Sequence, residues 1–166
     1  MRRCALFVLS VTLATAGCQR GLTDKSPLPA RDEAYFRCRV QPILTKTCSA
    51  FACHGSAQRY FHMFARNRLR LGGTEAQRNA ALRNEERAFN FDAARAFIDE
   101  SALDESLLLL KPLEAKEGGY YHGGATLFDK GNVFPSRQDP DFKILSAWVH
   151  GAKEADQQCI EPGSDL

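Results

Sequence analysis

The sequence predicts a mainly α-helical domain, because apolar residues recur at helical spacing towards both ends of the chain. The first set is Tyr35, Phe36, Val40, Ile43 and Leu44, and the last set is Phe142, Leu145, Trp148 and Val149. Asp139 and Pro140 supply an N-cap and a first-turn proline for the last helix, and Gly151 stands where its C-terminal cap belongs. Pro42 is expected at a turn or at a helix start.

Two further helices are expected in the middle of the chain. Thr74 and Gln77 match a capping box, which predicts a helix that continues to about Glu86. A second amphipathic helix is expected with Asp92 as its candidate cap, over Phe89, Phe91, Ala94, Phe97 and Ile98. The apolar run 106–110 is either a buried helical turn or a strand. Residues 114–138 form a long Gly-rich loop without periodicity, for which a function is expected.

The first residues have the layout of a secretory signal peptide. Arg2 and Arg3 precede a short apolar stretch, and small residues lead to Cys18. The segment 15–18 also resembles a bacterial lipobox, with Thr15 where an aliphatic residue is usual, so Cys18 is the predicted lipidation site. Ordinary signal cleavage that leaves Cys18 as a thiol is the alternative. The resemblance to bacterial lipoproteins implies that Gln19 after this cysteine favours the outer membrane over the inner one.

The predicted organisation is therefore a lipoprotein signal peptide (1–17), a lipidated cysteine with a flexible tether (18–32), a helical domain (33–162) and a short tail (163–166). Loss of residues 1–17 lowers Lys+Arg from 22 to 20, equal to the 20 Asp+Glu of the chain. The mature protein is then formally neutral, which argues against a nucleic-acid partner. The expected location is the periplasmic side of the cell envelope, with the lipid as membrane anchor.

Cys48, Cys53 and His54 form the chemically most informative cluster. The usual haem c signature is C-x-x-C-H, in which both sulfurs add to haem vinyl groups and the histidine becomes the proximal iron ligand. The spacing here is C-x4-C-H, and two additional residues can loop out while both sulfurs still reach the vinyl groups. The alternatives are a Cys48–Cys53 disulfide with His54 as a bystander, or a zinc site with too few clustered ligands.

Cys38 and Cys159 remain after these assignments, one near each end of the domain. Free thiols seldom persist in an oxidising compartment, so a disulfide between them is expected. It would close a loop of about 120 residues and contribute ~4 kcal/mol in the chain-entropy model.

Several blocks of this sequence, in this order, resemble those of planctomycete-type cytochrome c domains. The first block is Val40–Cys48 followed by Cys53-His54-Gly55. The later ones are Ser106–Pro112, the His122-Gly-Gly element and the Phe142–Ala152 block, and together they cover most of residues 36–152. The resemblance implies a cytochrome c-like helical fold around one covalent haem, and electron transfer with a redox partner protein that it does not name.

The sixth haem ligand has three candidates. Met63 is the one methionine of the mature chain, but it lies nine residues after His54 and would have to reverse direction to reach the distal side. His122 lies in the Gly-rich loop, inside the block that resembles the family's His-Gly-Gly element, and is the predicted distal ligand. An open distal site is the third candidate, and it would suit a sensor of small ligands or a peroxidase. His62 and His150 are interpreted as a surface residue and the end of the last helix.

Arginines interleave with aromatics over residues 59–70. We interpret this segment either as a source of haem-propionate contacts, with Arg66 and Arg70 as candidates, or as a solvated face. No catalytic residue is predicted, since no serine–histidine–acid order or phosphate loop is present. The leading function is an exported, lipid-anchored electron carrier. The alternatives are a haem-based sensor or peroxidase, and a haem-free surface lipoprotein stapled by disulfides.

Overall fold

Helices joined by loops make up the part of the chain that the computed structural model describes, residues 28–123 and 132–155. The α-helices are α1 (Glu33–Tyr35), α2 (Gln41–Thr47), α3 (Glu75–Asn79), α4 (Asn84–Arg95), α5 (Leu107–Leu110) and α6 (Pro140–Val149). A π-helical segment (Phe36–Val40) joins α1 to α2, and two short 3-10 turns cover Leu103–Glu105 and Ala115–Glu117. Within these residues the one β-type contact is an isolated bridge between Leu113 and Phe134. The mainly α prediction is confirmed.

The first helical segment bends around Pro42. A proline has no N–H and cannot make the regular helical bond four residues back. The chain widens into the π segment directly before it, where the N–H of Gln41 donates to the carbonyl of Phe36, and α2 then carries the proline in its first turn. The expectation that Pro42 lies at a helix start is confirmed.

The last helix begins and ends as predicted. The Asp139 carboxylate accepts hydrogen bonds from the N–H groups of Asp141 and Phe142 at 2.9 and 3.2 Å. Gly151 lies just past the end with a φ of +89°, the left-handed region that glycine adopts without strain.

The middle of the chain differs from the prediction. The Thr74–Gln77 capping box forms, but α3 ends at Asn79 and α4 begins at Asn84. The Arg70 guanidinium donates to the carbonyls of Ala80 and Ala81, and so stabilises the chain where the predicted helix would have continued. Glu86 is therefore not the end of a helix. It is the third residue of α4, where its carboxylate accepts from the N–H of Arg83.

Asp92 is not a helix cap, because α4 starts eight residues earlier and Asp92 lies inside it. The apolar run 106–110 is a buried helical turn, which decides between the two readings of this segment. Of the Gly-rich loop, residues 124–131 lie outside the described part of the chain. So do the predicted signal peptide, Cys18, Cys159 and the tail.

The core joins the two ends of the domain. The Phe36 ring lies 5.0 Å from Trp148 and 5.4 Å from Phe91, so the π segment, α6 and α4 meet around one buried aromatic cluster. The indole N–H of Trp148 donates to the carbonyl of Asp32 at 2.9 Å. These contacts fix the helix that leads directly into Cys48.

Candidate functional site

A cavity of about 400 Å³ brings His54 and His122 together, 68 residues apart in the sequence. Their ring centres are 5.8 Å apart and their planes are 14° from parallel. Cys48 lines the same cavity, and Cys53 is not among its lining residues. The sequence predicted both histidines for one site, and the structure brings them together.

The turn that carries His54 follows directly from the end of α2. The N–H of Cys48 donates to Leu44 and the N–H of His54 donates back to Cys48, each at 2.9 Å. A Cβ atom on Gly55 would lie 2.2 Å from the carbonyl oxygen of Ser49, closer than any real contact. The turn therefore requires glycine directly after the histidine.

One hydrogen bond orients the His54 ring. Its Nδ1 lies 2.8 Å from the carbonyl oxygen of Phe61. A carbonyl can only accept, so Nδ1 carries the proton and the neutral ring keeps a lone pair on Nε2. Burial lowers the pKa of His54, and the nearby Arg59 lowers it further, against the opposing effect of the Phe61 carbonyl. The ring is thus neutral near pH 7, which is the form that binds a metal ion.

The His122 segment is positioned by two glycines. Gly118 has a φ of +89°, and a Cβ on Gly119 would lie 1.9 Å from the carbonyl oxygen of Leu113. The backbone of Tyr120 then donates to Leu110 at 2.8 Å. This tie places His122 two residues later at the cavity.

His122 has an environment different from that of His54. Its Nδ1 is buried and has no hydrogen-bond partner in the described part of the chain. Burial lowers the pKa of His122, and the charges of His54 and Lys111 add to this effect. Both imidazoles therefore stay neutral and available to a metal ion near pH 7.

The rest of the cavity wall is mainly apolar, with two tyrosines and two cations. The apolar members are Leu44, Phe61, Phe97, Leu107, Leu108 and Pro112. Arg59 and Lys111 provide positive charge, and no carboxylate is among the described residues that line the cavity. This combination suits a flat apolar group that carries acidic substituents, because the wall buries the ring and the cations pair with the acids.

The two thiols are free, as thioether attachment requires. Cys48 is buried and Cys53 is partly buried, and neither forms a disulfide. Burial raises the pKa of Cys48 to about 11, so it is a neutral thiol at pH 7. Cys38 is disulfide-bonded, and its partner is neither of these two cysteines. Its predicted partner, Cys159, lies outside the described residues, so this pairing stays a prediction.

The spacing of the two histidine rings is close to that expected on either side of a single metal ion. Metal–imidazole bonds are about 2 Å long, so one metal ion between two imidazoles holds their ring centres about 6 Å apart. The observed separation is 5.8 Å. Within the described ranges no group of three or more His, Cys, Asp or Glu side chains could hold a metal ion. A haem iron needs only two protein ligands, since the macrocycle supplies the others.

The other candidate metal ligands lie outside this cavity. Met63 is fully buried in the hydrophobic core and does not line the cavity. His62 packs on Phe89 at 4.5 Å, and the Nδ1 of His150 lies 2.8 Å from the carbonyl of Ser146 at the end of α6. These positions agree with the structural roles that the sequence suggested for His62 and His150.

The two arginines proposed for propionate contacts do not line the cavity. Arg70 donates through Nε and Nη2 to the Glu86 carboxylate at 2.9 and 2.8 Å, and it faces a second, wider cavity of about 770 Å³. Arg66 lines neither cavity. Arg59, from the same arginine-rich segment, lines the cavity with the two histidines.

Sequence reasoning missed Lys111 and the carbonyl of Phe61. Lys111 immediately precedes Pro112 at the end of the apolar run 106–110, and that position was the only available signal. A backbone carbonyl has no signature in a sequence, so the partner of His54 could not have been found there.

Comparison with models of protein families, with curated proteins and with solved structures found no match to this chain. Among the described residues, no helix combines the length and the apolar character needed to cross a bilayer.

Proposed function

We propose that this protein is an exported c-type cytochrome that carries one covalent haem and transfers electrons. The observation that carries the proposal is the pair His54 and His122, 5.8 Å apart across an apolar cavity that Cys48 also lines. His54 and His122 would be the axial ligands, and Cys48 and Cys53 would be the attachment points. A haem bound there supplies a one-electron couple, whose potential depends on axial ligands and surrounding charge.

The protein's own contribution would be orientation, burial and charge. The Phe61 carbonyl orients the His54 ring, and the apolar side chains of the wall would bury the haem ring. Arg59 and Lys111 would pair with haem propionates; the sequence had offered the arginines of residues 59–70 for this role, with Arg66 and Arg70 as the named candidates. With two histidine ligands, the potential should be lower than with methionine–histidine ligation.

Two other functions remain as alternatives. A sensor or peroxidase needs a vacant distal position, whereas His122 stands opposite His54. A haem-free module stapled by disulfides needs a Cys48–Cys53 bond, whereas both thiols are free. Both observations favour the electron carrier.

Location and partner are part of the same proposal. Lipidation of Cys18 would hold the domain at the periplasmic side of the envelope, with the outer membrane favoured by Gln19. Such a tether would keep the cytochrome near a membrane-associated redox protein.

Haem staining of a denaturing gel tests the proposal. The full-length chain is expressed in cells with and without cytochrome c maturation, beside Cys48→Ser, Cys53→Ser and the matched control His62→Ala. We expect a stained band from competent cells only, with strong loss in both cysteine variants and none in the control. An unstained wild-type band from competent cells would refute the haem proposal.

A further inference from the structure

We propose that His122 is an exchangeable ligand, so that the haem-loaded protein binds a small π-acceptor molecule such as carbon monoxide at the position His122 leaves. This inference rests on the proposed function, since it assumes a haem between the two histidines. It goes beyond electron transfer, because it gives the protein a second capacity: reversible binding of a diatomic ligand.

His54 is held at several points. Its Nδ1 donates to the Phe61 carbonyl at 2.8 Å, and its ring lies edge-on to the Phe61 ring at 4.8 Å. Its backbone N–H donates to Cys48, and its carbonyl accepts from the N–H of Met63. A hydrogen bond from the second ring nitrogen fixes a ligating histidine and raises its basicity. His54 therefore has the properties of a permanent ligand.

His122 lacks this support. Its Nδ1 is buried without a hydrogen-bond partner among the described residues. The described hydrogen bonds next to it hold the preceding backbone: Lys111 Nζ donates to the Tyr121 carbonyl at 3.2 Å, and the Tyr120 N–H donates to Leu110. Movement of the ring into water would satisfy Nδ1, which lowers the cost of leaving the cavity.

The surroundings of His122 leave room for such a movement. The Tyr121 side chain is 76% exposed, and a Cβ placed on Gly123 would meet nothing within 4 Å. The segment therefore lies at the surface, outside the aromatic core around Trp148. In the exchange, a lone pair of the incoming ligand replaces the lone pair of the His122 ring on ferrous iron. No proton or electron is gained or lost.

The test uses the full-length protein with its haem, reduced with dithionite and mixed with carbon monoxide. Absorption spectra report binding, and stopped flow gives the rate. We expect the wild type to bind, with a rate that levels off at high carbon monoxide because departure of His122 limits it. His122→Ala should bind at least tenfold faster and show no plateau, while the matched control His62→Ala should behave as the wild type.

A second variant covers the case in which His122→Ala is unstable. In His122→Gly, free imidazole should restore the low-spin spectrum and slow carbon monoxide binding again. A wild type that does not bind carbon monoxide, or a His122 variant with unchanged kinetics, would overturn the inference. Covalent haem content is measured first by the pyridine haemochrome spectrum. Absence of haem would sink the proposed function, whereas haem without exchange would overturn this inference alone.

Discussion

His54 shows how a single backbone carbonyl can select the chemistry of a side chain. The Phe61 oxygen, 2.8 Å from Nδ1, leaves the Nε2 lone pair available to a metal ion. His122 reaches the opposite side of the cavity without an equivalent partner in the described part of the chain. The two histidines therefore differ in the hydrogen bonding that supports their rings, and this difference underlies the exchange proposed above.

The two cations of the cavity wall lead to a prediction about the reduction potential. In the proposed haem-loaded protein, a positive charge beside the haem would stabilise the reduced form relative to the oxidised one, so Arg59→Gln or Lys111→Gln should lower the reduction potential. Because both side chains are exposed to solvent, the interaction of each charge with the haem is worth roughly 0.5–1 kcal/mol, on the order of 20–40 mV for one electron. Redox titration followed by absorption measures the change. The matched control is Lys143→Gln, which removes an exposed charge on α6 outside the cavity. Equal reduction potentials in the wild type and all three variants would contradict the placement of Arg59 and Lys111 beside the haem.

At the scale of elements, the turn between α2 and His54 depends on Gly55. Since a Cβ there would overlap the Ser49 carbonyl, Gly55→Ala must displace the backbone between Cys48 and His54. We expect a loss of about 2–4 kcal/mol in the free energy of unfolding, measured by urea titration. The control is Ala57→Ser, an exposed change two residues further on. An unchanged midpoint for Gly55→Ala would mean that the turn has another geometry.

The start of α4 depends on a buried carboxylate. Glu86 is fully buried and accepts from the Arg70 guanidinium and from the N–H groups of Leu71 and Arg83. Burial alone would raise the pKa of Glu86, but these hydrogen bonds outweigh it and lower the pKa from 4.5 to about 2. The folded state thus favours the charged form.

The sign of the pH dependence follows from this lowered pKa. The stabilisation by Glu86 is fully present above its unfolded pKa of 4.5, and it is lost as the pH falls towards about 2. Glu86→Gln should cost about 3 kcal/mol at pH 7, because it leaves Arg70 buried without its counter-charge. Its stability should then fall less than that of the wild type between pH 5 and about 2. Urea titrations at several pH values measure both effects, and Glu85→Gln, exposed on the same helix, should keep the wild-type dependence.

The accuracy of the sequence predictions varied with how local the determining contacts are. The limits of α6 depend on Asp139, Pro140 and Gly151, all adjacent to the helix, and were predicted correctly. The break between α3 and α4 depends on Arg70, a residue outside both helices, so local periodicity could not reveal it. The candidate site shows the same difference between local and distant contacts. Its histidines have sequence signatures, whereas Lys111 and the Phe61 carbonyl reach the site only because the chain folds them against it.

At the scale of the whole molecule, the two ends of the domain are held against each other. Trp148 bonds to the Asp32 carbonyl, Arg31 Nε donates to the Val149 carbonyl at 2.9 Å, and Arg39 pairs with Glu154 at 2.6 Å. The helix leading into Cys48 is part of this assembly. These contacts therefore connect the two ends of the domain to the helix that leads into the His54 turn.

The disulfide of Cys38 is a further predicted link between the two ends of the domain. We predict Cys159 as its partner, which would close a loop of about 120 residues and stabilise the fold by ~4 kcal/mol. Peptide mapping without reduction should recover Cys38 linked to Cys159, with Cys48 and Cys53 together on a haem-bearing peptide. Recovery of Cys38 in a peptide with any other cysteine would contradict the assignment.

Low-temperature EPR of the ferric full-length protein, read with its absorption spectrum, tests the central claim most directly. Two histidines across one covalent haem should give a low-spin signal without the charge-transfer band of methionine ligation, and His122→Ala should convert it to high spin. A high-spin signal from the wild type, or a methionine–iron band, would contradict an iron held between His54 and His122.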